Sequence, residues 1–278
     1  MRRALRIDGM AWVMLAGLLC VGAVVVTAIS TEGNATPATA PIARALDWQA
    51  VLGLREPWRL WTCAWVHWSA AHLAVNLAGG AVVAFVGWRA RLPQAAAVAW
   101  CVAWPLTQAL MAAIGPERLV AAMPRYGGLS GVLHAGVVVL GLSLAWPLVR
   151  VRPRLPAPPS RADTGFAATR ASAIEPSRIT EGPWAMTEMG AHTPSAAMPL
   201  DQLPPHGVED ERPLRERWIG VAIVAGTLAK VLLEAPWNLA PRPSAALGIA
   251  VAPIAHACGF AAGLLAWAGM RLVSRPAR

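Results

Sequence analysis

The chain alternates between long apolar stretches without charged residues and short segments that carry arginine. Five stretches contain no Asp, Glu, Lys or Arg, and each is long enough for a helix that crosses a hydrocarbon core of roughly 30 Å. They cover 10–30, 61–88, 92–116, 126–149 and 243–270. A sixth, 218–233, carries only Lys230, whose ammonium can reach the nearby membrane interface. The pattern therefore predicts an all-α membrane protein with a bundle of six transmembrane helices.

The arginines between these stretches predict how the helices are oriented. Cytoplasmic loops are enriched in Lys and Arg, and four arginine clusters fall on one side of the membrane if both chain ends are cytoplasmic. In the other three connections acidic residues accompany the arginines. The four clusters are Arg2, Arg3 and Arg6; Arg89 and Arg91; Arg150, Arg152 and Arg154; and Arg271, Arg275 and Arg278.

One segment interrupts the apolar pattern. Residues 150–217 are rich in Pro, Ala, Ser and Thr with mixed charge, and such a composition buries too little apolar surface to offset the entropy of ordering. We expect a long disordered cytoplasmic linker between the fourth and fifth helices, removable from Pro153 to Pro213. Residues 1–149 and 218–278 would then form helices 1–4 and 5–6 of one domain.

The first apolar stretch has a competing interpretation, a cleaved signal peptide. Arginines precede it, and Ala38-Thr39-Ala40 has the small-x-small form of a cleavage site. At 21 residues, 10–30 exceeds the roughly 7 to 15 apolar residues of a usual signal. A retained transmembrane helix is therefore the favoured interpretation.

Composition agrees with a membrane protein. The chain is 56% hydrophobic and 14% charged, whereas soluble domains have about 25% charged residues. The net charge of +9 is typical of loops that contact anionic lipid, and we expect a lipid bilayer, not nucleic acid, as the partner. Four scattered cysteines without CxxC spacing predict neither a disulfide nor a metal site, and no pattern calls for a cofactor.

Polar side chains inside a membrane are costly, so they are functional candidates. Counted back from the arginine that ends each predicted span, His72 lies 17, Ser130 20 and His256 15 residues away. At about 1.5 Å per residue these positions agree within about two helical turns and lie in the outer half of a bilayer. The common depth predicts one shared site. The candidates are His67, His72, Asn76, Ser130, His134 and His256.

The residue types point to acyl transfer. Histidine is the usual base for a serine nucleophile, and Gly259 and Gly263 after His256 would let its helix pack closely against the helix of Ser130. His72 and Asn76 are four apart on one helical face and can both donate to an oxyanion.

Other catalytic classes fit less well. No carboxylate lies within spans two, four or six, so we expect a Ser-His dyad and not an aspartyl protease. Two histidines five apart without HExxH disfavour a metalloprotease.

Each feature also has a structural interpretation. Gly128-Leu129-Ser130-Gly131 is by itself more often a helix-packing patch, a lone intramembrane histidine is as often structural, and Lys230 with Glu234 is interpreted as an interfacial pair. His134, four residues after the serine, is either a second proton acceptor or a wall of the site. These interpretations leave the common depth unexplained.

Taken together, the residues resemble the rhomboid intramembrane serine proteases. The matching pieces are Trp58-Arg59, the spacing of His67, His72 and Asn76, the Gly-Leu-Ser-Gly stretch, and Ala255-His256 with the two following glycines. The resemblance implies a rhomboid-like bundle in a bacterial inner membrane, with Ser130 as nucleophile and His256 as general base, opening toward the outer side. It implies His72, Asn76 and the Ser130 N–H as oxyanion donors.

His134 is similar to the residue found at this place in the rhombosortase branch, which implies substrates bearing a C-terminal Gly-Gly membrane anchor. We expect His134 and His67 to contact the catalytic groups and not to react. The predicted function is a serine endopeptidase for membrane-anchored proteins. The alternatives are an inactive rhomboid-like protein that binds transmembrane helices and, more distantly, a small transporter with histidine proton relays.

Overall fold

The structure is a computed structural model and describes residues 9–31, 39–148 and 213–274. Within these ranges four helices are long and apolar enough to cross a membrane. They are α1 (Met10–Ser30), α4 (Ala70–Arg89), α5 (Gln94–Ala112) and α9 (Pro253–Val273). The chain therefore has the helical, apolar character that its sequence predicts.

The other two predicted spans also form helices, but neither is both long enough and apolar enough to count as a membrane-spanning candidate. α7 (Ser130–Ala145) has only 16 residues, and α8 (Leu214–Leu233) carries three charged residues in its first turn besides Lys230 near its end. By length and composition the described chain thus has four candidate spans, whereas the sequence predicts six.

The predicted linker lies outside the described residues up to 212, but its last part does not. Residues 214–217 form the first turn of α8, so the boundary predicted at 217 is wrong by one turn. Pro213 precedes the helix and Glu216 lies in its first turn, and both residue types favour a helix N-terminus.

Two predicted spans begin later than expected because their first residues fold differently. Residues 61–69 contain the end of the short helix α3 (Arg59–Thr62) and a 3₁₀ turn (Cys63–Trp65), and the Ser69 hydroxyl then caps α4 by accepting from the His72 N–H at 3.1 Å. Residues 243–252 include an antiparallel hairpin of β3 (Arg242–Ser244) and β4 (Ile249–Val251). Pro253 then begins α9, where its missing N–H costs nothing.

Short elements connect the long helices beside these ends, and we call them the connecting layer. They are α2 (Pro41–Leu46), β1 (Trp48–Gln49), α3, α6 (Pro116–Ala122) and β2 (Arg125–Tyr126). β1 pairs with β2, with Trp48 opposite Tyr126. The buried apolar side chains of β1, α6 and β2 form a cluster with the first turns of α9.

A buried carboxylate holds the connecting layer together. Asp47 is fully buried and pairs with Arg59 at 3.3 Å and with Arg125, which lies on β2. Burial raises the pKa of Asp47, while hydrogen bonds from Gln49 and Arg125 and the charges of both arginines act in the opposite direction. Since β2 leads directly into Gly127 and Gly128, this network anchors the segment before Ser130.

The core of the bundle lies around α7. Nearly all of its side chains are buried, and it packs against α5, α8, α9 and α4. Two tryptophans tie neighbouring helices together, since Trp12 donates to the Val83 carbonyl and Trp100 to the Val132 carbonyl, both at 2.9 Å. A residue at the start of α7 is therefore held by helices on several sides.

Candidate active site

Three of the predicted site residues lie at the N-terminal ends of three different helices. Ser130 is the first residue of α7, His72 the third of α4 and His256 the fourth of α9. The Ser130 Oγ and the His256 Nε2 are 3.1 Å apart, which is within hydrogen-bond reach. The two residues that the sequence selects as nucleophile and base are thus neighbours, although 126 positions separate them.

Small residues make this approach of α7 and α9 possible. A Cβ on Gly259 would overlap the Gly131 carbonyl oxygen, and one on Gly263 would lie 2.6 Å from the Ala135 carbonyl oxygen. The backbones therefore meet at the glycines that follow His256 at four-residue spacing. Any larger side chain at Gly259 would push the histidine away from the serine.

Gly128 shapes the loop that presents the serine. Its φ of 134° is a conformation that L side chains rarely adopt, and a Cβ there would lie 2.6 Å from Cε1 of His72. The Gly128 N–H donates to the Cys63 carbonyl at 3.0 Å, and the Tyr126 hydroxyl donates to the Gly128 carbonyl at 3.2 Å. The loop is thus fixed on both sides, with the ring of His72 packed against it.

His67, His72 and Asn76 form the side of the site contributed by α4 and the turn before it. Asn76 Nδ2 lies 3.0 Å from Nε2 of His67, whose Nδ1 lies 3.2 Å from the Trp65 carbonyl oxygen. A carbonyl only accepts, so His67 donates through Nδ1 and accepts from the Asn76 amide through Nε2. This orients the amide, leaving its second N–H for another acceptor, and His72 packs on His67 with ring centroids 4.8 Å apart.

His134 contacts both catalytic candidates. Its Nδ1 donates to the Ser130 carbonyl at 2.7 Å, and its ring stacks on the ring of His256 with centroids 4.2 Å apart and planes 15° apart. The predicted position one helical turn from the serine and against the base is therefore confirmed.

Glu234 is the residue of the site that the sequence does not place there. It follows the last residue of α8, and its Oε2 lies 2.6 Å from Nδ1 of His256, while its Oε1 accepts from Lys230 at 2.6 Å. Burial raises the pKa of Glu234, but the hydrogen bonds from His256 and Lys230 outweigh it and hold that pKa below its ordinary value. The predicted pairing of Lys230 with Glu234 is present, but the carboxylate also contacts His256. The sequence predicts a Ser-His dyad, but in the structure a carboxylate lies beside the histidine; it comes from the end of α8 and not from spans two, four or six.

A cavity of about 680 Å³ opens onto these side chains. Two of its walls are α4 and the end of α8, and the β3–β4 hairpin contributes further lining residues. The Leu247 carbonyl, between the two strands of the hairpin, accepts a hydrogen bond from the Ser69 hydroxyl. The part of the cavity that leads away from the polar groups is apolar. It is lined there by Val75, Gly79, Val82, Leu133 and Val137.

In comparisons with known proteins, no family model, no curated protein and no solved structure matches this chain.

Proposed function

We propose that this chain is an intramembrane serine endopeptidase of the rhomboid type. The observation that supports it best is the 3.1 Å contact between Ser130 Oγ and His256 Nε2 at the mouth of an apolar cavity. A serine becomes nucleophilic when a positioned base accepts its proton, and this contact is the one such an activation requires.

The steps follow from that contact. Ser130 Oγ attacks the carbonyl carbon of the scissile peptide, while its proton passes to His256 Nε2. The peptide C–N bond then breaks, and the leaving amine takes the proton from Nε2. Water next attacks the acyl-enzyme ester, giving a proton to Nε2, and Ser130 departs with that proton to restore the enzyme.

The negative charge that develops on the substrate oxygen needs hydrogen-bond donors. We assign this role to the Ser130 N–H, His72 and the second N–H of Asn76. His72 and Asn76 both line the cavity. Ser130 is the first residue of α7, where a backbone N–H has no acceptor within the helix, whereas the next N–H, of Gly131, donates to the Tyr126 hydroxyl at 3.4 Å. His67 supports the oxyanion site indirectly by holding the Asn76 amide.

The shape of the cavity supports a substrate that is itself a membrane segment. An apolar lining between α4 and α8 suits an apolar chain, while the polar groups lie at one end. In this proposal α1, α4, α5, α7, α8 and α9 all cross a bacterial inner membrane, with both chain ends in the cytoplasm. The site then lies near the outer surface, and the substrate is cut near its outer end. The resemblance of His134 to the residue at this place in the rhombosortase branch implies substrates with a C-terminal Gly-Gly anchor.

The test is labelling of the purified full chain with a fluorophosphonate, which reacts with activated serines. The wild type should be labelled, and Ser130→Ala and His256→Ala should not. Ser143→Ala is the matched control, because Ser143 is a buried serine on the same helix away from the cavity, and it should label like the wild type.

Equal labelling of wild type and Ser130→Ala would contradict the proposal. A folded wild type that does not label would favour the inactive helix-binding protein. Co-expression with a secreted protein that carries a C-terminal Gly-Gly anchor then tests the substrate class. If that anchor stays while other single-span proteins are cut, the protease assignment survives and the branch does not.

A further inference from the structure

Both ring nitrogens of His256 have a partner. Nε2 faces Ser130 Oγ at 3.1 Å, and Nδ1 faces Glu234 Oε2 at 2.6 Å. An ionised carboxylate only accepts, so Nδ1 carries the ring proton. Nε2 is then the ring's acceptor, which is the state the serine proton requires. The carboxylate thus selects the tautomer in which His256 can act as a base.

We propose that Glu234 is a positioning residue that completes a Ser130–His256–Glu234 triad. This inference rests on the proposed protease function and deepens it. Glu234 holds the imidazole ring in place, keeps its proton on Nδ1, and stabilises the imidazolium that forms when Nε2 takes the serine proton. Since the His256 side chain is only 6% exposed, water cannot readily replace the carboxylate in these roles.

Lys230 in turn holds the Glu234 carboxylate. It lies one turn before Glu234 and donates to Oε1, so the two carboxylate oxygens have different partners. Lys230 holds one oxygen and leaves the other directed at His256. Among the described residues, the titratable groups that face His256 are Glu234 after α8, Ser130 and His134 from α7, and His72 from α4, and the charge of Lys230 is paired with Glu234.

The effect of Glu234→Gln follows from this geometry. Lys230 only donates, so it should retain the amide oxygen and turn the NH₂ toward His256. Nδ1 would then have to accept, which moves the ring proton to Nε2 and removes the acceptor for the serine proton. We expect the labelling rate with a fluorophosphonate to fall by about 10²-fold or more, as for loss of a general base. Glu234→Ala should lose a similar factor.

A second substitution separates this mechanism from a structural role. Glu234→Gln combined with Lys230→Met frees the amide to rotate and present its oxygen to Nδ1. The double variant should therefore label faster than Glu234→Gln alone. Lys230→Met alone should have a much smaller effect, because the Lys230 side chain is half exposed and does not touch the histidine.

The pH dependence gives a readout that a structural role would not move. Without the neighbouring negative charge an imidazole is harder to protonate, so the acidic limb of the rate profile should shift to lower pH in Glu234→Gln. Glu216→Gln is the control, since Glu216 lies in the first turn of the same helix, about 27 Å away along its axis. It should keep the wild-type rate and profile. Thermal unfolding of each variant checks that it is folded.

The outcomes distinguish the two proposals. If the wild type does not label, the protease assignment fails and the triad fails with it. If the wild type labels and folded Glu234→Gln labels at the same rate, the protease stands and the triad is overturned. A slower Glu234→Gln whose acidic limb is unchanged, and which Lys230→Met does not restore, would make Glu234 only a tie between α8 and α9 and would also overturn it.

Discussion

At the scale of single residues, the site consists of side chains that each use more than one contact. His256 uses both ring nitrogens, and His134 uses one nitrogen and its ring face. His67 donates to the Trp65 carbonyl through Nδ1 and accepts from the Asn76 amide through Nε2. A substitution therefore has different effects depending on which contact it removes. At position 134, a substitution can keep a ring packed on His256 and remove only the hydrogen bond to the Ser130 carbonyl.

We expect His134→Tyr to keep a reactive serine. A tyrosine ring can still pack on His256, and the hydrogen bond to the Ser130 carbonyl is the contact that is lost. Such a bond contributes about 1 kcal/mol, which corresponds to less than a tenfold change in rate. Fluorophosphonate labelling measures it, with His256→Ala as the variant that should not react. If His134→Tyr is as inactive as Ser130→Ala, His134 takes part in proton transfer.

At the scale of elements, the crossing of α7 and α9 decides whether serine and base meet. Gly131 on one helix and Gly259 on the other bring the two backbones into contact, directly after Ser130 and three residues after His256. Packing this close requires that neither position carries a side chain. Adding a single methyl group at Gly131 or Gly259 should therefore change the geometry of the site.

Gly259→Ala should therefore be strongly destabilising. Its Cβ would overlap the Gly131 carbonyl oxygen, and overpacking of this kind costs about 1–3 kcal/mol or more when backbone must move. Gly269→Ala is the matched control, because a Cβ at Gly269 on the same helix meets nothing within 4 Å. It should be neutral or stabilising, since alanine favours helix by about 0.5–1 kcal/mol over glycine. Thermal unfolding and the rate of fluorophosphonate labelling are measured for both variants in the same detergent. If Gly259→Ala and Gly269→Ala have the same unfolding temperature and labelling rate, the close crossing of α7 and α9 does not control the site.

At the scale of the whole molecule, the described helices α7 and α8 are neighbours along their length, although 64 residues between them lie outside the described ranges. A Cβ on Gly220 near the start of α8 would lie 2.6 Å from the backbone nitrogen of Ala145 at the end of α7. The two helix ends that the predicted linker joins are therefore close together, at the end of the bundle opposite Ser130.

Replacing 153–212 by about twelve Gly and Ser residues should leave turnover of a membrane substrate largely intact. A flexible linker of that length has a root-mean-square span of roughly 20 Å, enough for helix ends this close. The assay is cleavage of the Gly-Gly-anchored reporter, with Ser130→Ala in the shortened chain as the blank. A well-expressed shortened chain without activity would contradict the prediction.

Many structural features of this protein could be predicted from local sequence patterns. Apolar stretches identify the membrane character and the bounds of α1, because hydropathy is a property of each segment alone. The spacing of Gly259 and Gly263 predicts the close crossing, and the similar depth of Ser130 and His256 predicts that they share one site. These predictions succeed because helix rise and side-chain spacing convert residue number directly into position.

Tertiary structure decided what no single segment contains. Residues 61–69 and 243–252 do not continue the long helices that follow them. The first contains the end of α3 and a 3₁₀ turn, the second contains the β3–β4 hairpin, and α4 and α9 begin only after the Ser69 cap and at Pro253. Glu234 was not predicted as a site residue, because its contact with His256 depends on how the end of α8 packs against the start of α9. That contact joins residues 22 apart on two different helices, and a carboxylate one residue beyond an apolar stretch looks like an interfacial charge until both helices are packed.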